Sequence, residues 1–381
     1  MSRLIYLFVI SFWSAVLTSC GGESIPVATV VPQLSAPANR WADDVGRYLG
    51  GMPAKPGSKL EAVHQDPLFK QHSTGFDDSW LNFEKSRQPA MQRFQRSELT
   101  EAPFKGATIF YPFGGPDTLT AITFFPDNSN YLLIGLEPPG ALPSEENLRE
   151  KPLGAYLPKI RGVMNSLLTK SFFVTQSMSE QVRGQITDGL LPLMLVQLVR
   201  TRNTVLGILP VTLDDKGELV ERKQAGTGIA GVLIEFQRDG VEGKKRLVYL
   251  SANLSNEPLR KNQPLLSFLS KQKPMVTYFK AASYLCHRVN FSFVREQILE
   301  LSSAVLGDDS GIPYKYYDPA VWNVQLYGKY DKPYGSFQKV LELRQPALKA
   351  AYDAAGVKPL DFPIGYGFSR IPANLLLAKK K

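Results

Sequence analysis

Only two cysteines, Cys20 and Cys286, stand among 381 residues. If the first is consumed elsewhere, no disulfide can form within the body of the chain, and a buried core has to carry the fold. Cys286, within Ala281-Ala282-Ser283-Tyr284-Leu285-Cys286, then reads as a buried small hydrophobe rather than a reactive thiol. The sequence provides material for such a core, with 44% hydrophobic and 21% charged residues.

Residues 1–20 have the order of a secretory signal: Arg3 at the start, an apolar run over 4–17, and a small-residue region before Cys20. The run is shorter than the ~20 residues that span a bilayer as a helix, which favours a cleaved signal over a permanent span. Leu17-Thr18-Ser19-Cys20 resembles the lipobox read by the lipoprotein diacylglyceryl transferase and signal peptidase. That resemblance implies a signal over 1–19, a mature chain beginning at Cys20, and a membrane partner engaged through acyl chains on its sulfur. Gly21 stands where lipoproteins kept in the inner membrane commonly have Asp, so the resemblance implies an outer-membrane lipoprotein facing the periplasm if the organism has two membranes. Residues 20–39 are small, polar and broken by Pro26, Pro32 and Pro37, the composition of a tether.

Beyond the tether, 40–381 reads as one mixed α/β domain opening with a helical segment, 40–101, in which Trp80, Phe83, Met91 and Phe94 fall near helical spacing and Pro89 interrupts. A Rossmann-like β-turn-α-β unit follows: strand 107–113, turn Gly114-Gly115-Pro116-Asp117, helix 118–125, strand 131–136. Helical stretches at 153–168 and 189–200 precede two antiparallel hairpins, 204–213 with 218–222 and 231–237 with 246–252. The chain then predicts a strand at 275–279, helices near 281–287 and over 293–306, a turn at 308–311, an extended stretch at 322–327 and a helix over 335–354.

The formal charge of +9 is spread out, and its densest clusters, Lys244-Lys245-Arg246 and Lys379-Lys380-Lys381, lack interleaved aromatics. They fit solvated surface and not a nucleic-acid groove. Three histidines, His64, His72 and His287, leave little room for a His-rich metal site.

Three stretches have the residue types of a site. Gly114, Gly115 and Asp117, with Glu137 about 22 residues beyond Gly115, match the spacing of a glycine turn that offers N–H groups to an anion and an acid that meets a ribose hydroxyl. Pro116 removes a donor and no G-x-G-x-x-G is present, so a plain turn joining core strands is the competing reading. Lys280, Ser283 and His287 would share one face of the expected helix, either as an anion or hydroxyl site or as a cap beside a satisfied histidine. Asp308, Asp309 and Ser310 in Asp308-Asp309-Ser310-Gly311-Ile312-Pro313 superficially resemble the nucleophile loop of trypsin-like proteases, but neither His64 nor His72 stands in that family's histidine motif. A capping or ligand-binding turn is the alternative.

Together the stretches 110–140, 280–287 and 308–313 resemble a family of uncharacterised bacterial exported proteins sharing Tyr-Pro-Phe-x-Gly-Pro-Asp and Asp-Asp-Ser-Gly-Ile-Pro. The resemblance implies no activity or cofactor; it directs attention to the three loops together and leaves open whether they form one site. Two functions remain open: a lipoprotein that binds a small molecule or an envelope protein, and an envelope transferase or hydrolase with a Rossmann-like cleft.

Overall fold

A computed structural model describes residues 34–150, 153–171, 189–224, 226, 228–369 and 373–381. The expected signal, Cys20 and most of the tether lie outside them. Ten strands form one mixed sheet: β1 (Thr108–Pro112), β2 (Asn130–Gly135), β3 (Asn203–Leu213), β4 (Leu219–Glu221), β5 (Gly231–Arg238), β6 (Lys245–Ser251), β7 (Met275–Phe279), β8 (Ser302–Gly307), β9 (Trp322–Gly328) and β10 (Asn374–Lys380), in the order β4-β3-β5-β6-β2-β1-β7-β8-β10-β9. The five middle strands, β6-β2-β1-β7-β8, are parallel; antiparallel pairs extend the sheet on both sides. The mixed α/β fold and both central hairpins are as expected.

Side chains alternate across the strands into two cores. Ile109, Tyr111, Tyr131, Leu133, Val276, Tyr278, Ala304 and Leu306 enter one; Phe110, Leu132, Ile134, Met275, Phe279 and Val305 enter the other. This two-sided burial is what a parallel sheet requires, and it explains why these strands read as unbroken apolar runs. Helices α1 (Arg40–Leu49), α2 (Pro67–Ser86), α3 (Gln88–Glu98), α4 (Thr118–Phe124), α5 (Glu145–Glu150), α6 (Leu153–Lys170) and α7 (Leu191–Arg200) contribute to the first core. Helices α8 (Asn256–Lys261), α9 (Gln263–Ser270), α10 (Ser292–Leu301) and α11 (Pro346–Asp353) cover the second. Asn39 caps α1, Asp66 caps α2 ahead of Pro67, and Asn262 caps α9, each accepting a backbone N–H through its side chain.

Five expectations are corrected. Residues 34–39 belong to the body and not to the tether: Ala38 bridges Gly207, Ser35 Oγ donates to Glu235 at 2.8 Å, and Arg246 holds the Leu34 carbonyl at 2.7 Å. Residues 281–287 form no α-helix but a tight turn ending in a short 3₁₀ segment, Leu285–His287. The stretch 293–306 divides into α10 and β8, because a short buried apolar run does not tell strand from helix by period alone. Residues 335–354 hold two 3₁₀ turns before α11, because Pro346, lacking an N–H, starts a helix and cannot continue one. Of the basic clusters expected on solvated surface, Lys245 is buried at 8% exposure, its ammonium donating to the carbonyls of Pro126 and Asn128.

Candidate functional site

From β1 the chain moves outward to β2 and β6, then returns to place β7 on the other side of β1. The sheet order therefore reverses between β1 and β7, where ligands of open α/β sheets bind beyond the carboxyl ends of the strands. The loops leaving β1, β7 and β8 at this edge are the three stretches singled out in the sequence.

They meet through side chains. The Lys280 ammonium pairs with Asp117, and both side chains are only 1% exposed. The same carboxylate accepts from Tyr111 Oη at 3.1 Å and Thr120 Oγ1 at 2.6 Å, while its other oxygen caps α4 through Thr120 N. From β8, Asp308 accepts from Ala281 N at 2.9 Å, Ser310 N at 3.1 Å, the Ser310 hydroxyl and the Tyr366 backbone. Ser310 Oγ in turn accepts from Ala282 N at 2.7 Å. These bonds decide the turn after β7, since Ala281, Ser283 and Tyr284 have φ of +49°, +53° and +54°. With Phe113 (φ +62°) after β1, four of the six non-glycine left-handed residues among the described ones lie in these two loops. Such residues cost on the order of 1–3 kcal/mol each and persist only where their surroundings hold them.

Asp309 faces the other way. It accepts from Tyr284 Oη at 2.6 Å and Asn374 Nδ2 at 2.9 Å, and its backbone carbonyl lies 3.2 Å from His287 Nε2 and accepts from Gln345 Nε2 at 2.9 Å. Over this loop the rings of Tyr284, Tyr366 and Tyr334 stack nearly parallel, at 6.0 Å and 5.1 Å. Ser283 is exposed at the apex, its hydroxyl 3.3 Å from Tyr366 Oη. A space of about 20 Å³, room for a water, lies beside Asp309 and Asn374.

The β1 loop offers no open cradle. Its glycines serve close approach: a Cβ on Gly114 would lie 2.5 Å from the Tyr111 ring, and one on Gly135 3.2 Å from Gly115. The first N–H groups of α4 are taken by Pro116 O, Gln197 Oε1 and Asp117 Oδ1. Glu137 does not join the cluster: its carbonyl accepts from Tyr249 Oη at 2.7 Å, and no hydrogen bond or ion pair joins its carboxylate to the three loops among the described residues. Lys280, Ser283 and His287 are brought near one another, but by a strained turn and not a helical face. Tyr284, Asn374, Tyr366 and Gly365 complete the cluster and have no local sequence signal.

Burial governs the electrostatics. It pushes the Lys280 ammonium down, opposed by Asp117, and lowers Arg87 to about 10. Cys286 is pushed up to about 12 and is inert. Burial, then the neighbouring Asp308, raises Asp309 to about 7 from 3.8. Folded chains therefore hold more protons there than unfolded ones between these values, and this stabilisation is complete below about pH 4 and lost as pH rises through 7. His72 and His287, lowered to about 4 by burial, act oppositely, their contribution being lost as pH falls from about 6.5 towards 4. The diagnostic is thus a difference: from pH 4 to 7 the wild type should lose stability relative to Asp309→Asn in urea titrations. A pH-independent difference would place the Asp309 carboxyl in water.

No known protein family and no curated protein matches the chain.

Proposed function

We propose that this chain is an exported lipoprotein, held to a membrane through Cys20, whose α/β body binds a small molecule or envelope protein at the carboxyl edge of its sheet without transforming it. The observation carrying this reading is the burial of the Lys280–Asp117 pair, each side chain 1% exposed. The charged groups at the switch point are spent on one another and hold up a rigid turn; they face no substrate. That edge offers to solvent Ser283 and the apolar side chains of Leu136, Val289 and Leu341, 68%, 84% and 72% exposed on loops following β2, β7 and β9, with the exposed Arg288, Asn290, Asp331 and Lys332 among them. An enzyme reading draws on Asp309, near neutrality behind a strained turn, but its carboxylate is held by Tyr284 and Asn374.

Thermal unfolding of the purified chain against nucleotides, sugars and cell-wall fragments tests the reading, because any ligand preferring the native state raises the midpoint. Compounds that shift it should be recovered unchanged by mass spectrometry; conversion of one to product would replace binding with catalysis. Separately, Cys20→Ala should abolish lipid labelling and move the protein from the membrane to the soluble fraction. Labelling that survives the substitution would remove the anchor.

A further inference from the structure

The opposite, amino-terminal edge of the sheet holds a cleft of about 320 Å³. Gln88, Gln92 and Gln95 line it from one face of α3, following the i, i+4, i+7 spacing of a helix. Gln95 is 6% exposed as a residue, but its carboxamide makes no hydrogen bond to any described residue and keeps its atoms open to solvent on the cleft wall. Here the amide borders an open space.

Three cations share that space. Arg96 and Arg238 are exposed and form no ion pair among the described residues. Lys245, 8% exposed, donates to the carbonyls of Pro126 at 2.9 Å and Asn128 at 2.7 Å, which leaves one of its three N–H groups over. Asp127 is the one acid on the wall, so the cleft is net cationic. Carboxamides both donate and accept, as hydroxyl groups do, and a row of three is matched by a molecule with several hydroxyls. Ile122 and Pro126 supply an apolar patch for the C–H face of a ring. The volume lies at the lower end of the ~300–1,000 Å³ usual for small-molecule sites, suiting one ring with its charged substituent.

We infer that this cleft binds a hydroxyl-rich anionic small molecule, a sugar acid or sugar phosphate. The site is separate from the carboxyl edge, and neither proposal depends on the other.

The test measures thermal midpoints and titration calorimetry of the full chain with glucuronate, glucose 6-phosphate, glucose and inorganic phosphate. At least one anionic sugar should bind about tenfold or more tightly than glucose or phosphate, and whichever of the two binds better identifies the anion. Gln95→Leu, close to the same shape, should change the midpoint of the unliganded protein little while weakening the sugar by about tenfold or more. Arg238→Ala, on the surface, should leave that midpoint unchanged and reduce the preference for the anionic sugar over glucose. The inference is overturned if neither anionic sugar binds, if phosphate alone binds as well, or if Gln95→Leu leaves the affinity for the anionic sugar unchanged.

Discussion

Lys280→Met should lower the unfolding free energy by about 3–5 kcal/mol, the usual cost of leaving one member of a buried ion pair without the other. Methionine fills the space of the lysine stem but strands the Asp117 carboxylate, 1% exposed, with the Tyr111 hydroxyl, the Thr120 hydroxyl and the Thr120 N–H as its remaining hydrogen-bond donors. Adding Asp117→Asn keeps a side-chain oxygen to cap α4 and removes the stranded charge, so the double variant should recover much of the loss. Urea unfolding of both variants reads the effect. A single variant within about 1 kcal/mol of wild type would mean that water reaches the pair, since exposed pairs contribute no more than that.

Gly365→Ala is expected to cost a similar amount through sterics. At this position φ is +53°, and an added Cβ would stand 2.0 Å from Asp308 Oδ2 and 3.3 Å from Lys280 Cγ. Asp308 cannot retreat without releasing Ala281 N, Ser310 N and the Ser310 hydroxyl, and each buried donor left unpaired costs about 1–3 kcal/mol. Gly106→Ala provides the control, because there φ is +75° and a Cβ meets nothing within 4 Å. The control should bear only the left-handed penalty of roughly 1–2 kcal/mol. Equal losses in the two variants would show that Asp308 is free to move.

How far the sequence discloses these features depends on the range of the interactions that decide them. The β1–α4–β2 unit is legible because an apolar run, a Gly-Gly-Pro turn and the capping Asp117 all act within a few residues, and the observed ends fall within one residue of the expected strand, helix and second strand. The turn after β7 is not, because Ala281 and Ala282 favour a helix by propensity and are held out of one by Asp308 and Ser310 from the loop after β8. The three loops are recognisable as special, but whether their charges face a substrate or one another is a tertiary fact; Glu137, which fits a spacing rule, stays outside the cluster. Gln95 is invisible in the sequence, where α3 shows only a polar face, and becomes notable once its place on the wall of a cationic cleft is known.

The place of β10 bears on the order of folding. It lies between β8 and β9, and among the described residues β9 pairs with no other strand. The sheet therefore cannot grow outward in chain order: β9 has to wait, unpaired, until a segment that follows α11 slides between it and β8. In that interval β8 offers an open hydrogen-bonding edge beside apolar side chains, the kind of surface on which other chains assemble. The slow, non-local closure of this side is where misassembly should begin, and conditions that delay it should favour aggregation over the native sheet.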